Sequence, residues 1–163
     1  MARSEELSIL TSVAKDTRAL IAGLYAKLDA FQAHELAQLG RVPITASYLA
    51  DLIDSIYTCL ETLFLRITRF FENELESDRW HQDLLDKMRI EISGVRKAVL
   101  SDATYRRLRE ILRFRHFRRY YFEMDYDWDK LDFLSRKLTE LRSLIATDLD
   151  KFLEFLSQLE DVT

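Results

Sequence analysis

The window from Tyr105 to Phe122 holds seven arginines and one histidine with Glu110 its single acid, so it carries about +6 in a chain whose net charge is −4. The rest of the sequence therefore sums to about −10, and basic charge is concentrated in one place. Aromatic residues interleave with it: Phe114, Phe117, Tyr120, Tyr121 and Phe122. Guanidinium groups among aromatic rings suit phosphate contacts and base stacking, the two interactions that hold single-stranded nucleic acid. Arg109, Arg113, Arg118 and Arg119 are candidate RNA-phosphate ligands. Arg115 and His116 are candidate catalytic groups. The guanidinium could hold a phosphate, and an imidazole among arginines could act as a general base near neutral pH, which RNA cleavage through the 2′-hydroxyl requires.

Both residues also have plainer readings. Arg115 follows Leu108 by seven residues, which on a helix is about 20° of rotation, and it lies within a turn of Ile111 and Leu112. An arginine on that apolar stripe is costly unless it finds an acceptor or reaches water. It either snorkels at a bundle rim, pairs with an acid between Glu123 and Asp132, or waits for a phosphate in a cleft at a subunit interface. In the last case Arg115→Ala is expected to abolish RNA binding and leave the fold intact. His116 shares a face with Arg109, and packing against aromatic rings would explain it as well as catalysis does. His34 reads as a surface residue. His81, after Trp80 at a helix start, reads as a capping or packing residue.

The elements that must position these groups are all helical. Three glycines and one proline in 163 residues, with 48% hydrophobic and 32% charged residues, favour an all-α chain. A first helix runs from Ser4 to about Leu39, with Leu7, Leu10, Ala14, Leu20, Ile21, Leu24 and Leu28 as its apolar positions. Gly40 to Pro43 breaks it. The second helix runs from Thr45 to about Leu75. Its apolar residues Leu49, Ile53, Ile56, Leu60, Leu63, Ile67 and Phe70 alternate three- and four-residue steps, the seam of a bundle. Arg79 to Met88 is a shorter helix, and Ser93-Gly94 marks a turn. Ser101 or Asp102 caps a helix from about Ala103 to Phe122. Asp127 caps the last helix, which runs to about Glu160. Leu131, Leu138, Ile145, Phe152 and Leu159 hold one heptad position there, while Leu134, Leu141 and Phe155 hold a second that Asp148 interrupts.

The chain reads as a single domain over residues 1–163, long enough to bury a sizeable core. Its one cysteine, Cys59, sits in an apolar run and reads as a small core residue, so no disulfide forms within the chain. The three histidines are too far apart for a metal signature, and there is no glycine-rich phosphate loop or nucleophile elbow. No metal and no cofactor is expected. Without a secretory segment or an apolar run of ~18 residues, a soluble, cytoplasmic protein with no membrane association is expected.

Phe114-Arg-His-Phe-Arg-Arg-Tyr-Tyr-Phe122, together with Trp80-His-Gln-Asp-Leu-Leu85, Gly94-Val-Arg-Lys-Ala-Val99 and Asp127-Trp-Asp-Lys-Leu131, resembles HepT-like proteins of the HEPN superfamily. The similarity runs from about Tyr48 to Leu159. It implies a HEPN-like antiparallel bundle of about five helices that forms a two-fold homodimer with a composite cleft. It also implies a toxin of a toxin–antitoxin module: a metal-independent endoribonuclease acting on RNA. Its partner would be a minimal nucleotidyltransferase (MNT) antitoxin, which in some systems adds AMP to a tyrosine of the toxin. The family signature is an arginine, four to six residues and a histidine, then any residue and a tyrosine. Laid onto Arg115, its histidine falls on Tyr120 and its tyrosine on Phe122. Tyr120 then joins Arg115 and His116 as a catalytic candidate, and Tyr120 and Tyr121 are candidate modification sites. A shifted register, with Arg109 and His116 as the pair, also fits. The alternative is a catalytically inactive dimeric scaffold or partner-binding subunit.

Overall fold

A computed structural model describes residues 2–72, 80–120 and 125–162 of the chain. Its helices are α1 (Ala2–Ala33), α2 (Glu35–Leu39), α3 (Pro43–Phe71), α4 (Trp80–Met88), α5 (Asp102–Tyr120) and α6 (Trp128–Glu160). Among the described residues there are thus five substantial helices and one short one. No strand forms among the described residues beyond a single bridge between Ile92 and Arg96 across the Gly94 turn.

The seams set the packing. On α3, Leu49, Ile53, Ile56, Leu60, Leu63 and Ile67 are all buried, and so are Leu131, Leu138, Ile145 and Phe152 of α6. Contacts between distant parts of the chain fix the directions. Arg18 pairs with Asp150 and Asp29 with Arg142, so α1 and α6 run antiparallel. Arg107 pairs with Glu140 while Ser101 reaches Asp148, so α5 and α6 do too. This is an antiparallel helical bundle. α5 lies against α3, α4 and α6, whereas α1 lies against α2, α3 and α6.

Three departures from sequence expectation have local causes. The first helix divides at His34, and Gly40 ends the second piece at φ 73°, a left-handed conformation suited to glycine. α3 starts two residues earlier than expected because Pro43 occupies its first turn, where its missing N–H costs nothing. The Thr45 hydroxyl donates to the Gly40 carbonyl (2.7 Å) and accepts from the Val42 N–H (3.1 Å), tying this corner. Leu20, read as a core position, is instead 61% exposed. Consecutive helical residues point about 100° apart, and Ile21 takes the buried direction.

Asp148 is buried in the α6 seam for a reason beyond its own helix. Its carboxylate accepts from the Ser101 N–H (3.0 Å), the Ser101 hydroxyl (3.1 Å) and the Thr104 hydroxyl (2.5 Å). The Ser101 hydroxyl in turn accepts from the Thr104 N–H, so Ser101 caps α5. A carboxylate at that end also complements the α5 dipole. The interrupted heptad is thus what sets the start of the arginine helix.

Candidate nucleic-acid interface

Helical periodicity divides the basic residues of α5 between two faces. Arg115 and Arg118, three apart, turn inward to α3, which answers with Asp51, Asp54 and Glu61. Asp54 and Glu61 are seven apart and so lie on one stripe. Arg115 Nη1 donates to Glu61 Oε1 at 2.8 Å, and its Nε lies 2.7 Å from Asp54 Oδ1 as an ion pair without hydrogen-bond alignment. The guanidinium also lies 5.3 Å from the Tyr57 ring centre, within cation–π range. Arg118 pairs with Asp51 and donates to the Tyr126 hydroxyl at 2.9 Å and the Ala50 carbonyl at 3.3 Å.

Burial makes the inner pair strong. The Arg115 and Glu61 side chains are 13% and 7% exposed. Desolvation works to lower the Arg115 pKa, but the hydrogen bond and charge of Glu61 and the charge of Asp54 outweigh it and raise the value. Arg115 therefore stays a cation, and so does Arg118, where Asp51 and Tyr126 outweigh the same desolvation. The remaining Glu61 oxygen lies 2.7 Å from His81 Nδ1, and the His81 ring stacks on Trp80 at 3.6 Å. Burial, reinforced by Glu61, pushes the Tyr57 hydroxyl above its ordinary pKa.

This geometry corrects two expectations. Among the described residues, the acids that engage Arg115 come from α3 and not from 125–132, while Glu123 lies outside the described residues. Arg115 is also built into the packing of α3 and α5, so Arg115→Ala cannot be expected to leave the fold intact. His81 has a polar role beyond capping or packing, because it shares Glu61 with Arg115.

Arg106, Arg109, Arg113, His116 and Phe117 form the outer face of α5 and are all exposed. Arg113 pairs with Glu110 of its own helix (3.0 Å), while Arg106 and Arg109 form no ion pair among the described residues. Phe117 is 43% exposed. Where this face meets the start of α6, a groove of about 510 Å³ is lined by Arg113, Phe114, Phe117, Tyr126, Lys130 and Leu131, with the carboxylates of Asp125 and Asp127 at the α6 side. Such a surface can neutralise phosphates and stack bases.

The structure separates the expected catalytic residues. Arg115 faces inward and His116 outward, about 100° apart. α5 continues unbroken to Tyr120, so no helix break near Arg118 brings positions 115 and 120 together. The side chains of Arg119 and Tyr120, and all of Tyr121, lie outside the described residues. Sequence reasoning passed over Arg106, Glu61 and the α3 acids. A signal for the acids existed in their spacing, which matches Arg115 and Arg118. Among the described residues no group of three or more His, Cys, Asp and Glu is placed to hold a metal ion, and no helix is long and apolar enough to cross a membrane.

No curated protein and no solved structure matches the chain. The family described as HepT-like protein matches residues 48–156, from early α3 to the last turns of α6. That span holds α4, α5, the α3 acids and the Asp148 cap, and by it this chain belongs to the HepT-like proteins.

Proposed function

We propose that this chain is the toxin subunit of a toxin–antitoxin module, a homodimer that binds RNA and is neutralised by a nucleotidyltransferase antitoxin. The observation that carries this reading is the outward stripe of Arg106, Arg109, Arg113, His116 and Phe117 in a HepT-like chain. Arg109 and Arg113 hold phosphates, Phe117 stacks a base, and the adjoining groove, of ordinary ligand-pocket size, accepts an unstacked nucleotide. His116 is the general base if the RNA is cleaved, and the reaction needs no metal. Arg115 reaches the scissile phosphate only by exchanging its carboxylates for it, in a cleft completed by a second copy.

The double engagement of Arg115 favours a second reading, a catalytically inactive HEPN-like scaffold that binds a partner. Tyr120 and Phe122, at the positions of the signature histidine and tyrosine, favour it too. Incubating purified protein with structured and single-stranded RNA in the presence of a chelator separates the two. Cleavage that survives the chelator and disappears in His116→Ala supports the nuclease. RNA binding without cleavage supports the scaffold, and neither binding nor cleavage overturns the RNA reading altogether.

A further inference from the structure

Helix α1 lies outside the family match and packs only one of its faces into the bundle. Its outer face carries Leu20, 61% exposed, beside a shallow groove of about 550 Å³ formed with Asp16, Ala19, Gly23, Leu24 and Lys27. Gly23 has a helical cost and no intrachain reason: a Cβ built there meets no atom within 4 Å. Asp16 and Lys27 are exposed, and neither forms an ion pair among the described residues.

These residues are arranged self-complementarily. Asp16, Leu20, Gly23 and Lys27 follow steps of four, three and four, a coiled-coil seam. In an antiparallel pair of such seams, each layer joins one residue to its mirror position about the midpoint between Ile21 and Ala22. Leu20 then meets Gly23 of the partner subunit, a knob over a position with no side chain. Asp16 meets Lys27 of the partner subunit, and the two-fold repeats both layers. A parallel pair would instead set Asp16 against its own copy.

We infer that the outer face of α1 is a two-fold interface with a second copy of this chain, held by Leu20 in the groove at Gly23 and closed by Asp16–Lys27 pairs. Because α1 and α5 do not touch among the described residues, this contact is separate from any dimer cleft built on the arginine helix. It also does not rest on the RNA reading. A chain with both contacts assembles beyond a dimer.

Sedimentation equilibrium of the full chain tests this with charge reversal. Asp16→Lys is expected to weaken association about tenfold, since two attractions become repulsions. Asp16→Lys combined with Lys27→Asp is expected to restore it. Leu20→Ala, which keeps helix propensity, is expected to weaken association at least as much. RNA affinity is expected to stay unchanged in all three, which separates this test from the preceding one. A wild-type chain that stays monomeric overturns the proposal. So does association insensitive to Asp16→Lys or Leu20→Ala, or a loss that the double exchange does not repair.

Discussion

Replacing Arg115 with alanine removes the cation between Asp54 and Glu61. The Asp54 side chain is 36% exposed and can rehydrate, but Glu61, 7% exposed, cannot. Breaking a buried ion pair from one side costs about 3–5 kcal/mol because the abandoned charge stays desolvated. His81, 2.7 Å from the other Glu61 oxygen, offers partial compensation. The expected loss therefore sits at the low end, about 3 kcal/mol, or roughly 100-fold in the folding equilibrium. For a chain of this size that lowers the melting temperature by about 6–12 °C. Urea unfolding followed by far-UV circular dichroism measures it directly. Adding Glu61→Gln to Arg115→Ala should recover about 1–2 kcal/mol by removing the uncompensated carboxylate. A loss below about 1 kcal/mol, the range of an exposed ion pair, would refute the structural role assigned to Arg115. The consequence is practical: any loss of function in Arg115→Ala speaks to chemistry only after stability has been measured.

Three further outcomes follow from buried polar groups. Asp148→Ala should cost about 2–3 kcal/mol and loosen the first turn of α5, because three donors lose their acceptor; Asp148→Asn, which keeps a carbonyl oxygen, should cost less. Arg96, whose side chain is fully buried, pairs with Glu72 and donates to the Ile90, Lys97 and Lys87 carbonyls, so Arg96→Lys should cost about 3 kcal/mol in the same assay. Burial raises the pKa of the Tyr25 and Tyr57 hydroxyls, so the folded chain holds protons that an unfolded one releases. Their contribution to stability should be complete below about pH 10 and decline as pH rises beyond it. Absorbance titration of every tyrosine near pH 10 without unfolding would contradict this.

The bundle was legible because its seams are regular. The repeats placed the start of α3 and both ends of α6 to within a few residues, while Leu75, the expected end of the second helix, lies outside the described residues. Asp127 caps α6 as its sequence position suggested, accepting from the Asp129 N–H. Of the two cap candidates for α5, Ser101 and Asp102, it is Ser101 that accepts from the Thr104 N–H. What periodicity hid was the pairing of faces. The inward position of Arg115 could be read from Leu108 and Ile111, but the helix supplying its acids could not. Charges that meet in space, such as Glu61 and Arg115, lie far apart in sequence, so the acids nearest in the chain seemed better partners. Asp148 looked like a defect in a heptad because its partners belong to α5. The division at His34 left no strong sequence mark, since no glycine or proline stands near it and the break residues Gly40 and Pro43 come only after α2. The outward basic stripe was visible in composition, but its separation from Arg115 required the direction of the helix.

The central claim, that the outer face of α5 holds RNA, is tested most directly by the salt dependence of binding. The logarithm of affinity against the logarithm of salt concentration should fall with a slope that weakens by about 1.4 in the Arg109→Ala/Arg113→Ala variant, two phosphate contacts on a single strand. Phe117→Ala should lower affinity at every salt concentration and leave the slope unchanged. Slopes identical in wild type and the double arginine variant would contradict the account.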